Sequence, residues 1–441
     1  MIPSATYRIQ FRNGMTFDRV AALVPYLKDL GISHLYASPV FTATAGSTHG
    51  YDVTNPNEID PAIGGRDGFD RMAAALKQAG MGLILDIVPN HMSTSLENAW
   101  WRDVIEYGQQ SRYFRYFDID GARPLTLPFL GDTFEAELEK GAIALKRDPV
   151  TNKVALVYYD AEYPLNPGTY SEDKSIAELH EAQSWRLMSW REAPKQLSWR
   201  RFFEITGLIG VRVEDPAVFD DTHRLILELV HSGIVDGLRI DHIDGLADPL
   251  GYLQRLRQAT GPECYITVEK ILAKGEQLPA DWPVSGTTGY EFIASLAEVL
   301  VDDNNLDQLQ QVHDEALGGA IDRHTALREA KGLMVDRNFE GEFTTLLRLA
   351  TELAERNSMA VESDALRHAL RELLLAFPVY RTYGTAEGLT AGDITLLNRV
   401  VDQVNAEENR PDANALNVII AILTGNLQVL LQLSQNLLSQ R

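Results

Sequence analysis

The sequence predicts an α/β fold built on a parallel sheet, and three observations predict it. Short strand-like runs alternate with helical patterns over the first ninety residues and again from about residue 217. The third of these strands is nearly all apolar, as a strand covered on both faces must be. The length, 441 residues, suits one large α/β barrel with an insert, or two to three domains.

The elements follow in chain order. "TYRIQF" has the look of a strand, and "FDRVAALVPYLKDLG" is an amphipathic helix closed by a C-terminal glycine. "ISHLYASPV" is the second strand, followed by a loop containing "HGYDVTNPNEIDP" and the helix "RDGFDRMAAALKQAG". "MGLILDIVPNH" is the third strand. From Met92 to Pro216 the rhythm breaks into segments rich in Trp, Tyr and Arg, which predicts a large insert after strand 3. The order resumes with helix "THRLILELVHSG", strand "IVDGLRID", helix "DPLGYLQRLRQATG" and strand "CYITVEKIL". After Phe292 the pattern is helical to the end, including "ALNVIIAILTGNLQVLLQLSQNLLSQ", which reads as packed helix. The expected divisions are therefore 1–91 (barrel strands 1–3), 92–216 (an inserted lid or subsite domain), 217–292 (strands 4–5) and 293–441 (a helical region).

Composition narrows the function classes. With 45% hydrophobic and 23% charged residues the chain fills a large core. A formal charge of −22 argues against nucleic acid and anionic membranes, whereas a neutral sugar polymer is indifferent to it. The single Cys264 excludes an internal disulfide and a multi-cysteine metal cage. No basic stretch followed by an apolar block opens the chain, and no apolar run approaches the ~20 residues of a membrane span, so a reducing cytoplasm is expected. Zinc spacings and a Walker pattern are absent, and "GTTG" at 286–289 reads as a weak glycine turn. Asp86 and Asn90 are too few to hold calcium, so no metal or cofactor is expected.

Three strands end in acids: Asp86, Asp241 and Glu269. In parallel barrels and open α/β sheets the carboxyl ends of the strands face the site. Arg239 and Asp241 are two apart, so they share a face of their strand. A guanidinium beside Asp241 is expected to hold its charge and depress its pKa, which suits a nucleophile. Glu269 lies one βα unit later, and two carboxylates in unequal environments suit retaining glycosyl transfer, at a separation of roughly 5–5.5 Å. Any one such acid alone reads as a helix cap or a structural ion pair. Three together, with an arginine at i−2, favour a site. Asp244 and Asp248 stay with the structural reading, since Asp248 before Pro249 is a sound helix N-cap. His91, in the loop beyond Asp86, is placed to donate to a sugar hydroxyl. Tyr51 offers a ring face and Asp52 a bidentate acceptor, against the plainer reading of "HGYD" as a turn.

In this order the residues resemble the α-amylase superfamily of glycoside hydrolases. "DIVPNH", "GLRIDH" and "ITVEK" are similar to its first three sequence regions. Over roughly residues 1 to 385, longer stretches resemble one of its member families, the maltooligosyl trehalose synthases. Those stretches are "PSATYRIQF", "SHLYASPVFTATAGSTHGYDVTNPNEIDPAIGG", "RRFFEITGLIGVRVEDPAVFD", "GLRIDHIDGLADP" and "FPVYRTY". The resemblance implies a (β/α)8 TIM-type barrel with Asp241 as nucleophile and Glu269 as acid/base. It implies Arg239, His91, Tyr51 and Asp86 around the attacked sugar, with Asp52, His242 and Lys270 as weaker neighbours. No stretch resembles the fourth region, which carries a third catalytic Asp on a late strand. Asp336 in "GLMVDRN" follows an apolar run but lies in a helical stretch. Either a shortened form or fragment of the family, or a barrel completed some other way, is therefore expected.

The implied reaction is intramolecular transglucosylation of a maltooligosaccharide, converting its reducing-end α-1,4 bond to α,α-1,1. The insert would act as lid, and a trehalose-releasing hydrolase would be the functional partner. An α-glucan hydrolase using the same intermediate, and an inactive truncated glucan-binding remnant, are the competing expectations.

Overall fold

The computed structural model describes residues 2–385 and 388–425. The chain forms two compact units, one of Met1–Ile271 with Gln277–Gly289, the other of Leu272–Glu276 with the chain from Tyr290 onward.

The first unit is built on six strands: β1 (Thr6–Ile9), β2 (His34–Ala37), β3 (Gly82–Ile87), β4 (Gly237–Ile240), β5 (Tyr265–Val268) and β6 (Gly286–Thr287). They lie in chain order in one sheet, and every neighbouring pair is parallel. This is the parallel sheet of a (β/α)8-type barrel, of which the described residues supply six strands. Crossover helices α1 (Phe17–Asp29), α2 (Gly65–Gln78), α3 (Pro216–His231) and α4 (Pro249–Thr260) lie in the first four of the five connections a parallel sheet of six strands requires, and residues 269–285 link β5 to β6 without a helix. In α1 the Thr16 side chain caps the N-terminus, and Phe17, Val20, Val24 and Leu27 are buried at helical spacing. Each such side chain contributes about 1.5–3 kcal/mol on burial. In β3, Leu83, Ile84, Leu85 and Ile87 are all buried, as its apolar run requires. Gly237 opens β4 opposite Tyr265, where a Cβ would sit 2.8 Å from the Tyr265 carbonyl oxygen.

Three elements differ from the sequence reading. The loop after β2 contains an antiparallel pair, Phe41–Ala43 with Val53–Ile59. "GTTG" is not merely a turn: Gly286 and Thr287 pair with Thr267 and Val268 as β6. Two residues carry no period, so only the neighbouring strand reveals them. Helix α3 starts ahead of the predicted "THRLILELVHSG", at Pro216, because Asp215 accepts from the Ala217 amide and proline suits the first turn.

The turn bearing "HGYD" depends on Gly50. Its φ is +84°, and a Cβ there would meet the Pro39 carbonyl at 2.8 Å and the Arg12 guanidinium at 2.9 Å. That guanidinium is itself buried and paired with Asp60, which caps the turn Pro61–Ile63. Gly50→Ala is expected to destabilise the first unit by about 1–3 kcal/mol. All six tryptophans lie in that unit, so urea unfolding followed by tryptophan fluorescence measures it. An unchanged midpoint would show the turn to be unconstrained.

Between β3 and α3 the insert forms its own small sheets, including His91–Ser93 paired with Ile205–Gly210, which in turn pairs with Arg201–Phe202. The second unit is helical. Leu366, Leu373, Leu397, Val400, Leu416 and Ile419 form the heart of its core. Of the C-terminal run predicted as packed helix, Ala413–Thr424 is helical with Leu416, Val418 and Ile419 buried, and the remainder lies outside the described residues.

Candidate active site

Register brings the strand-end acids together. Arg239 pairs with Asp86 across β4 and β3. Ile240 pairs with Val268 across β4 and β5, so the next residues, Asp241 and Glu269, leave adjacent strands at the same level. Backbone bonds continue past the strand ends: the Asp241 amide donates to Ile87 and the Glu269 amide to Ile240, at 2.9 and 2.8 Å.

One guanidinium serves all three acids. Arg239 Nη1 donates to Asp86 Oδ1 at 2.8 Å and to Asp241 Oδ1 at 2.7 Å. Its Nη2 stands 3.0 Å from Glu269 Oε1. The other Glu269 oxygen accepts from the His242 backbone amide at 2.9 Å, and His242 holds a left-handed φ of +48°. Side-chain exposure rises from 0% at Asp86 through 10% at Asp241 to 23% at Glu269. Glu269 is thus the acid most open to a proton exchanging with a ligand or water.

The charge balance corrects one expectation. Three ionised carboxylates against one guanidinium leave a net negative cluster in a poorly solvated place. Burial is the largest influence on Asp241 and pushes it up to about 7; Arg239 pulls it down, while Asp86 and Glu269 push it further up. The neighbouring arginine does not depress Asp241 below the usual carboxylate range as its sequence position suggests. Burial likewise raises Asp86, against Arg239 and the Tyr51 and Tyr36 hydroxyls. In this cluster of three acids around one guanidinium, keeping a proton is favoured.

Tyr51 donates to Asp86 Oδ2 at 2.6 Å, and Tyr36 donates to the same oxygen at 3.0 Å. Arg8 in turn donates to the Tyr51 hydroxyl. Tyr36 and Arg8 escaped the sequence reading. The only signal for Tyr36 is its place in β2, in register with Ile84 of β3.

His91 is buried, and its ring lies 4.3 Å from that of Phe202. Burial first, then the His242 and Arg200 charges, hold its pKa down to about 3, so it is neutral at neutral pH. Asn90 Oδ1 accepts from Arg200, which leaves the Asn90 amide nitrogen to face His91 Nδ1 at 3.2 Å. Nδ1 is then the acceptor and Nε2 carries the proton. Nε2 meets no acceptor at full hydrogen-bond geometry, although the Tyr51 backbone is near enough to act on the ring.

The weaker neighbours divide. His242 lies at the centre through its backbone, with its ring 5.0 Å from both Phe202 and Phe203. Burial lowers its pKa. Asp52 is turned into its own loop, where Ser47 donates to one carboxylate oxygen, so it is not a free bidentate acceptor. Lys270 is buried and donates to Asp244 Oδ2 at 3.0 Å. Asp248 caps α4 as the sequence implies. Asp336 lies in the helical unit, bound by Arg371 at 2.9 and 2.8 Å through both oxygens. Among the described residues no acid at a further strand end joins the cluster, and no group of three or more His, Cys, Asp or Glu could hold a metal ion.

A parallel barrel sheet with convergent acids at the carboxyl ends of its strands defines a catalytic domain of the glycoside-processing (β/α)8 class. The chain belongs to the α-amylase family, whose catalytic-domain profile matches residues 16–264. A Mycobacterium tuberculosis protein provisionally named maltooligosyl trehalose synthase is 45% identical over 309 residues, 68% of this chain and 38% of that protein. Among solved structures, a mutant of maltooligosyltrehalose synthase from Arthrobacter ramosus superposes with a TM-score of 0.84 at 38% identity, covering 96% of this chain and 53% of that one. A glycosyltrehalose synthase gives 0.79 at 33% identity, covering 93% and 54%. The chain thus spans about half the length of the solved proteins it matches and less of the mycobacterial one. No helix among the described residues is long and apolar enough to cross a membrane.

Proposed function

We propose that this chain carries the reacting centre for intramolecular transglucosylation of maltooligosaccharides. Asp241 attacks the anomeric carbon of the α-1,4 bond next to the reducing-end glucose, while Glu269 gives its proton to the departing oxygen. The freed glucose stays and turns. Its anomeric hydroxyl yields a proton to Glu269 and attacks the glycosyl–Asp241 ester, which restores both acids and leaves an α,α-1,1 bond. Arg239 balances the charge of Asp241 and holds Asp86 against Tyr36 and Tyr51, and His91 presents its Nε2–H to a hydroxyl of the attacked sugar.

The observation that carries the reading is the bridging of Asp241 and Glu269 by one guanidinium, on adjacent strands of one parallel sheet in a chain 38% identical to a maltooligosyltrehalose synthase. Water competes for the intermediate unless the freed glucose is held. Well-oriented intramolecular groups reach effective molarities of about 10⁵ M or more, which favours transfer over hydrolysis. The insert over the strand ends would exclude solvent. A hydrolase that releases trehalose from the product end is the fitting functional partner. Incubation with maltopentaose tests the reading: a non-reducing product of unchanged length is expected, and reducing ends rising without it would favour hydrolysis instead.

A further inference from the structure

A cation of the insert reaches His91 through one intervening amide. The backbone of Arg200 joins two segments of the insert: its amide donates to the Asp118 carbonyl at 2.9 Å, and its carbonyl accepts from the Gly210 amide at 2.8 Å. Its Nε donates to Asp118 Oδ2 at 2.9 Å, which fixes the plane of the guanidinium. Gly210 leaves the space for it, since a Cβ there would stand 2.5 Å from Arg200 Cζ and Nη2. Nη1 then donates to Asn90 Oδ1 at 2.9 Å. Arginine carries donors and no acceptor, so the Asn90 atom it meets is the oxygen. The amide nitrogen is thereby turned the other way, 3.2 Å from His91 Nδ1. That nitrogen offers no lone pair, so Nδ1 accepts and the single proton of the neutral ring sits on Nε2. Asn90 and His91 are both buried, and two facing donors here would have no bulk water to turn to.

We propose that Arg200 is a positioning residue that sets the tautomer of His91 through Asn90, so that the insert decides which ring nitrogen can donate. Turning the Asn90 amide over would exchange its oxygen and nitrogen at almost unchanged shape. The proton of His91 would then belong on Nδ1, and Nε2 would become an acceptor. Arg200 tells the two arrangements apart, because the turned amide would set its NH2 group against a guanidinium, donor against donor. The consequence for rate rests on the transglucosylation reading; the tautomer itself does not.

Nitrogen NMR of the full chain labelled on histidine tests the proposal, with the His91 signals identified by their absence from His91→Gln. In wild type, Nδ1 is expected at the position of an unprotonated ring nitrogen and Nε2 at that of a protonated one. Arg200→Met removes the donors and keeps the stem, and is expected to move Nδ1 toward the protonated position. Arg200→Lys is expected to bring it back toward wild type. Asn90→Asp presents oxygen to both neighbours and should protonate Nδ1 with Arg200 still in place, so the relay is also tested in a chain that keeps its buried cation. His91 signals unchanged in Arg200→Met, or in Asn90→Asp, would overturn the proposal. With maltopentaose, Arg200→Met is expected to lower kcat/KM about 3- to 10-fold, the worth of one neutral hydrogen bond, and to add nothing further in a His91→Gln background. An equal loss in both backgrounds would also overturn it. If wild type yields no non-reducing product, the transglucosylation reading fails by itself, and the NMR signals still decide on Arg200.

Discussion

Arg239→Met is expected to destabilise the first unit by about 3–5 kcal/mol at pH 8, because it leaves buried carboxylates without their shared cation. Asp86 and Asp241 both lose the guanidinium that pulls their pKa values down, so both rise further. A carboxyl raised in the folded state costs nothing below its unfolded pKa of about 4 and becomes a growing cost as pH rises through the folded value. The loss should therefore be large at pH 8 and small at pH 4.5. Urea unfolding read by tryptophan fluorescence at both pH values measures it. An equal loss at the two would mean that lost packing, not charge, accounts for the change.

Asp241→Asn should act in opposite directions on activity and stability. As the proposed nucleophile, Asp241 cannot be replaced by an amide, and the transfer rate should fall by on the order of 10⁴-fold. Stability should rise. The folded-state pKa of Asp241, about 7, lies above its unfolded value, so its ionisation works against the fold as pH climbs from about 4 to about 7. Removing the charge should add on the order of 1–3 kcal/mol at pH 8 and close to nothing at pH 4. A variant that is both inactive and less stable at pH 8 would show that the Arg239 contact outweighs burial.

Much of the centre was legible in the sequence because its logic is local. Arg239 and Asp241 share a strand face by the period of two, and apolar runs ending in an acid mark Asp86 and Glu269 as strand ends. Neighbouring order in a βα chain then predicts which strands touch, and the register confirms that they do. What stayed hidden depends on residues far apart in the chain. The upward shift of Asp241 comes from burial and from acids on two other strands, so a single motif suggested the wrong sign. Asp52 and Lys270 looked available until Ser47 and Asp244 were seen beside them. Phe202 and Phe203 belonged to an aromatic-rich segment read only in bulk. The two-residue strand β6 falls below any periodic signal.

The continuation of the backbone ladder through Asp241 and Glu269 restricts how this gene can change. Adding or removing one codon within "VDGLRID" would turn Arg239 and its acid toward the helix layer and bring aliphatic side chains to the mouth of the barrel. No half-measure exists, since strand neighbours alternate strictly between two sides. Length variation among homologous chains should therefore collect in connections such as the long one following β3, and be missing from the few residues leading into each acid.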